Sequence, residues 1–231
     1  MSSKKVFVIH GWTYSLDKWD QAFAEMEKLG LKPVMLKVPG LSEPSDDVWD
    51  VESYVDWLRQ KIEGEKDPLI VGHSNGGRIA MAYDVASPGH IRRLVLVASA
   101  GVYNDGSQIS LKRKVFKAIA KVVKPFARGP VRKALYRVIG ANDYGNAAPN
   151  MRQTMINVTE HDKTFELNKV TAQATLIWGD HDTSTPIQDA EVIHGALPHA
   201  DELHVIHGSG HSPHAADPKR VANLILAASK E

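Results

Sequence analysis

The chain has 231 residues, of which 43% are hydrophobic and 24% charged, with a formal net charge of +1. That suffices for one sizeable core, or a core with a modest insertion, and fits neither a disordered chain nor an obligate nucleic-acid binder. The absence of cysteine excludes disulfides, thiol catalysis and cysteine-based zinc sites.

Met1-Ser2-Ser3-Lys4-Lys5 runs straight into Val6-Phe7-Val8-Ile9. The run is too short for a signal-peptide core, and no stretch approaches the ~20 apolar residues of a membrane-spanning helix, so a soluble, cytoplasmic protein is expected. Lys5–His10 is the first predicted strand, and it ends in His10-Gly11-Trp12. Gly11 permits a sharp bend that can aim the Trp12 N–H into a site at the strand's end. Trp19, Phe23, Met26 and Leu29 then recur at spacings of four and three before Gly30, a helical stripe. A second strand follows at Pro33–Val38, and a second helical stripe at Val51, Val55, Leu58 and Ile62 stops before Gly64.

The third predicted strand, Pro68–Gly72, opens the strongest local pattern of the chain: Gly72-His73-Ser74-Asn75-Gly76-Gly77, followed by a helix over Ile79–Val85. A strand turning abruptly into a helix forces its middle residue into a strained conformation, and side chains two positions away collide. Glycines therefore flank the serine of a nucleophile elbow. No Gly-Lys-Ser/Thr follows, which removes the phosphate-loop alternative. The helix start behind Ser74 offers backbone N–H groups to an oxyanion. The Asn75 N–H, paired with that of Trp12, would make a two-donor oxyanion hole.

Arg93–Ala98 is the fourth strand. The interval from Gly101 to Val170 is too long for a structureless loop. It carries helical stripes of its own, at Val115, Ile119, Val122 and Phe126 and again at Met151, Met155 and Val158, so a helical insertion is expected there. Every charged residue from Gly106 to Asn142 is Lys or Arg. A solvated helix face is the plainer expectation, and weak contact with an anionic membrane surface the sharper one. Ala174–Trp178, the fifth strand, leads into Gly179-Asp180-His181-Asp182, which places both aspartates at a strand's C-terminal end. Glu202–Ile206, the sixth, leads into Gly208-Ser209-Gly210-His211. A serine hydroxyl needs a base and the base an orienting acid. His211 lies in the one loop suited to return to the sheet, with His214 as rival, while Asp180 and Asp182 both remain candidates for the acid. His10 reads as a hydrogen-bonded structural residue. Val221, Leu224 and Ile225 mark a last helix after Pro218. Each strand is a near-continuous apolar run, as in a parallel sheet covered on both faces, and the alternation with helices implies a doubly wound α/β fold.

His10-Gly11-Trp12, Gly72-His73-Ser74-Asn75-Gly76-Gly77, Gly179-x-x-Asp182-x-x-x-Pro186, and Gly210-His211 with Asp217-Pro218 together resemble the α/β-hydrolase superfamily over nearly the whole chain. The chain order Ser, Asp, His fits that family. The resemblance implies a triad of Ser74, Asp182 and His211, selecting Asp182 over Asp180, with Trp12 and Asn75 as oxyanion donors. It also implies a core of residues 1–100 and 171–231 with residues 101–170 as a helical cap. The expected sheet has six mostly parallel strands, the family's first two being missing. Serine excludes the aspartate-nucleophile branches, and the small intracellular esterases fit best. The expected activity is hydrolysis of a small carboxylic ester through an acyl-enzyme. The alternatives are a non-hydrolytic ligand-binding protein on the same fold, or a carbon–carbon or amide hydrolase on the same triad. No metal, cofactor or nucleic-acid partner is implied.

Overall fold

The computed structural model describes residues 4–103 and 147–230. The basic stretch from Gly106 to Asn142, with the first stripe of the expected cap, lies outside the described residues.

Six strands form one parallel sheet in the order β2-β1-β3-β4-β5-β6. They are β1 (Lys4–Ile9), β2 (Leu31–Leu36), β3 (Leu69–His73), β4 (Arg93–Val97), β5 (Gln173–Gly179) and β6 (Ala200–Ile206). Each pair is parallel, with Val8 beside Val71 and Leu96 beside Leu176. The helices that cross between them are α1 (Asp20–Lys28), α2 (Val51–Lys61), α3 (Asn75–Ala86), α4 (Pro149–His161) and α5 (Ile187–Ala196), and the short α6 (Pro213–Ala216) and α7 (Pro218–Lys230) follow β6.

Period-two alternation in the strands sorts side chains into two apolar layers. Val6, Val8, Val71, Val95 and Ile177 pack with Met26 of α1 and Val221 and Ile225 of α7. Phe7, Ile9, Ile70, Leu94 and Leu96 pack on the other face with Leu58 of α2, Ile79 of α3 and Ile193 of α5. Helices thus cover both faces, as the doubly wound pattern predicts. Fully burying one such aliphatic side chain is worth about 1.5–3 kcal/mol. Capping follows local chemistry: Asp50 accepts the Ser53 N–H at 2.8 Å at the start of α2, and Asp217 accepts the Arg220 N–H at 3.0 Å, with Pro218 opening α7.

One expectation needs correction. The strands are not all buried on both faces. β3 and β4 are buried throughout, whereas β2 and β6 lie at the sheet's edges and alternate or stay half-exposed, as Ala200-Asp201-Glu202 shows. An edge strand has a neighbour on one side only, so its charges keep water. The helix α5, which no sequence pattern announces, carries no clear stripe, its buried residues being Ala190 and Ile193 alone.

The strand order reverses at β1 and β3: the chain leaves β1 for β2 on one side and returns to β3 on the other. In open α/β sheets, ligands sit beyond the C-terminal strand ends at such a switch point. Gly11 follows β1 there and Ser74 follows β3. Among the described residues, no helix is long and apolar enough to cross a membrane.

Candidate active site

Ser74 occupies the turn between β3 and α3 at φ 53°, ψ −119°, a left-handed conformation that an L side chain adopts under strain. Surrounding backbone holds it there. Its N–H donates to the Val97 carbonyl at 3.1 Å, and its own carbonyl accepts the Gly77 N–H at 3.0 Å and the Ala100 N–H at 2.9 Å. The glycines are steric requirements. A Cβ on Gly76 would sit 2.1 Å from the Ile9 carbonyl oxygen, and one on Gly72 would sit 2.5 Å from the Gly77 Cα. The elbow is wedged against the end of β1, so a side chain at Gly76 would drive α3 away from the strand that carries Gly11 and Trp12.

The three residues selected from the sequence meet. Ser74 Oγ lies 2.9 Å from His211 Nε2, and His211 Nδ1 lies 2.7 Å from Asp182 Oδ2. The Asp182 side chain is shut off from solvent, while that of His211 is 28% exposed. Asp182 is fixed by its own turn: Oδ1 accepts the backbone N–H groups of Ser184 at 2.7 Å and Thr185 at 3.1 Å. The Thr185 hydroxyl lies 2.9 Å from Asp182 Oδ2 and 3.1 Å from the Ala98 carbonyl. Asp180 does something else. It accepts the Gly208 N–H at 2.7 Å and lies 3.1 Å from His207 Nδ1, anchoring the loop that carries His211. It therefore binds the neighbouring loop rather than its own turn.

The histidines divide by environment. His73 is buried, and its Nε2 donates to the His211 backbone carbonyl at 2.8 Å. Burial, with the His214 and His211 imidazoles close by, pushes its pKa well below the usual histidine range. His214 stacks on Trp19 with ring centroids 3.9 Å apart, and burial pushes its pKa down to about 3. It has no bond to Ser74 and serves as cavity wall. His10 bridges the Gly11 carbonyl at 2.7 Å and the Ser42 hydroxyl at 2.6 Å beneath the first loop, with its pKa lowered by burial.

Trp12, in the loop after β1, and Asn75, the first residue of α3, stand on either side of the Ser74 turn. Among the described residues no acceptor takes up either backbone N–H. A cavity of about 570 Å³ opens over the serine, walled by Trp12, Trp19, Met155, Ser184 and His211. Met155 comes from α4, so the second half of the expected cap contributes to the wall. Among the described residues no cluster of histidine and carboxylate side chains is placed to hold a metal ion.

Three residues of this neighbourhood carry no sequence signal strong enough to single them out. His73 sits inside the elbow motif, but its grip on the His211 carbonyl spans 138 positions. Thr185 is legible only as part of an Asp-x-x-Thr turn. Arg78 forms a buried pair with Asp162, reaching across from a helix 84 positions away.

The sequence profile of the family described as "Alpha/beta hydrolase family" matches residues 6–224. An uncharacterised protein of Mycobacterium tuberculosis is 24% identical over 97% of this chain and 74% of its own length. A pimeloyl-[acyl-carrier protein] methyl ester esterase of Neisseria meningitidis is 26% identical over 96% of this chain and 91% of its own. Among solved structures, an esterase of Exiguobacterium antarcticum superposes with a TM-score of 0.77 at 19% identity, covering 100% of this chain and 94% of that one.

Proposed function

The chain belongs to the α/β-hydrolase family, and from that premise we propose that it is a serine hydrolase that cleaves a small carboxylic ester through an acyl-enzyme. The observation that carries the proposal is the unbroken line of hydrogen bonds from Ser74 Oγ through His211 to Asp182, at the floor of a cavity. Asp182 holds the imidazole proton on Nδ1, which leaves the Nε2 lone pair facing the serine hydroxyl. Ser74 Oγ attacks the ester carbonyl as its proton passes to Nε2. The tetrahedral oxyanion takes the N–H groups of Trp12 and Asn75, which find no acceptor among the described residues. Each such donor contributes about 2.7–4 kcal/mol of transition-state stabilisation. Collapse breaks the carbon–oxygen bond, and the Nε2 proton leaves with the alcohol. Water then gives a proton to Nε2, attacks the acyl carbon and frees Ser74 and the acid.

An ester is favoured by the names of two relatives, both esterases, and by a cavity walled by Trp12, Trp19 and Met155, suited to an apolar group. Residues 1–100 and 171–231 serve as the catalytic core and residues 101–170 as a cap, with Met155 as the cap's contribution to the cavity.

Fluorophosphonate labelling and turnover of a nitrophenyl ester series, from acetate to octanoate, test the proposal. Wild type is expected to label. Ser74→Ala is expected not to label and to lose kcat by about 10⁶-fold. Asp182→Asn should lose on the order of 10⁴-fold, and Asp180→Asn far less, because Asp180 only anchors a loop. A folded wild-type chain that neither labels nor turns over any ester in the series contradicts the proposal and favours a ligand-binding role.

A further inference from the structure

We infer that Arg78, gripped by Asp162, is a positioning residue that fixes one wall of the oxyanion hole, an inference that rests on the serine-hydrolase reading above. Arg78 stands in the first turn of α3, three residues past Asn75 and therefore on the same helix face. Its guanidinium makes three bonds. Nε donates to Asp162 Oδ1 at 2.7 Å, Nη2 to Asp162 Oδ2 at 2.6 Å, and Nη1 to Asn75 Oδ1 at 2.5 Å. The side chains of Arg78 and Asp162 are 7% and 6% exposed.

A buried ion pair is a poor device for stability, since apolar side chains of similar volume do as well or better. What it supplies is geometry. A planar fork held at two corners by one carboxylate has little freedom left at the third. Here the third corner holds the side chain of Asn75, the residue whose backbone N–H faces the oxyanion in the proposed mechanism. The grip also settles which way the Asn75 amide points, because a guanidinium can only donate and so must meet the oxygen. Asn75 Nδ2 is then left buried without an acceptor among the described residues, an unfavourable arrangement that persists because the other atom is held. Asp162 terminates α4, the helix whose Met155 walls the cavity. One pair of charges thus ties that helix to the oxyanion donor, and a displacement of α4 reaches the donor through Arg78.

The test compares wild type with Arg78→Met, Asn75→Ala, the double variant and Arg78→Lys. It measures kcat and KM for nitrophenyl acetate per fluorophosphonate-titrated site, together with Tm. Arg78→Met is expected to lower kcat about 10- to 100-fold, the scale of a small misplacement of a reacting group, with KM changed less than about threefold, as befits a contact that matters in the transition state. Asn75→Ala keeps the backbone N–H yet should lose a similar factor. The double variant should be no worse than the poorer single, because both act through one contact. Arg78→Lys should restore Tm but not kcat, since an ammonium pairs with Asp162 without the planar fork.

Unchanged kcat per titrated site with only Tm lowered, or losses that multiply in the double variant, would overturn the inference. If Arg78→Met does not fold, normal kcat in both Asn75→Ala and Arg78→Lys does the same. A wild type that never labels removes the hydrolase reading and this inference with it, whereas a labelled wild type with indifferent Arg78 variants removes the inference alone.

Discussion

His73, His211 and His214 crowd together beside Ser74, their ring centroids 4.7 Å apart for His73 and His214 and 5.1 Å for His73 and His211. Only His211 keeps substantial contact with solvent. The other two are buried and held neutral, and this has a consequence for stability. In the unfolded chain a histidine titrates near pH 6.5, while in the folded chain His214 titrates at about 3 because of burial and then the nearby Lys18 and His211. As pH falls below about 6.5, the unfolded state takes up the proton first, so stability is full above that pH and declines toward about 3. The slope contributed by His214 is about 1.4 kcal/mol per pH unit in that window. His214→Phe preserves the stack on Trp19 and removes one titrating group. Its urea-unfolding free energy should fall less steeply than that of wild type between pH 6.5 and 4. Equal slopes would show that His214 is not buried neutral.

At the scale of elements, α4 is joined to the core by polar contacts as well as packing. Thr154 on α4 is fully buried, and its hydroxyl accepts the Trp49 N–H at 2.9 Å while donating to the Asn150 carbonyl at 3.0 Å. Asn157 and Asn150 add bonds to the carbonyls of Trp49 and Ser45, and Met151 lies against Gly40. Thr154→Val keeps the volume and strands the half-buried Trp49 backbone donor, at a cost of about 1 kcal/mol, the low end of the range for a lost buried bond, readable as a lowered urea midpoint. A neutral outcome would mean that the segment from Ser45 to Trp49 can turn its N–H to water. The stripe Met151, Met155 and Val158 was visible in the sequence. Its division of labour was not: Met151 and Val158 fill the core, while Met155 walls the cavity. A 3.6-residue period marks a face and is silent on what meets it.

Among the described residues, the sheet lies between two separate apolar layers. Ile70 belongs to one and Ile177 to the other, and both are fully buried. Ile70→Val and Ile177→Val should each cost about 0.5–1.5 kcal/mol, and the double variant should cost their sum to within about 0.5 kcal/mol, as independent sites do. A larger coupling in chemical denaturation would show that the sheet transmits packing strain from face to face.

Local physics made much of this protein legible. The apolar runs announced the strands, because a central parallel strand is covered on both faces and its composition must say so. The elbow glycines announced Ser74, because steric conflict at a strand-to-helix turn is written into five adjacent residues. β6 begins two residues before the expected strand, at Ala200 and Asp201, because an edge strand need not be apolar, and α5 shows no stripe because its small residues bury little. The choice of Asp182 over Asp180 lay beyond spacing alone, as each carboxylate sits at the same strand end. The family resemblance selects Asp182, and the fold supplies the physical ground by bringing the loop after β6 back so that His207 and Gly208 meet Asp180 while His211 meets Asp182. The pairing of Arg78 with Asp162, like the grip of His73 on the His211 carbonyl, belongs wholly to tertiary structure. Such contacts join residues far apart in the chain, and a sequence constrains distant partners only through the packing that brings them together.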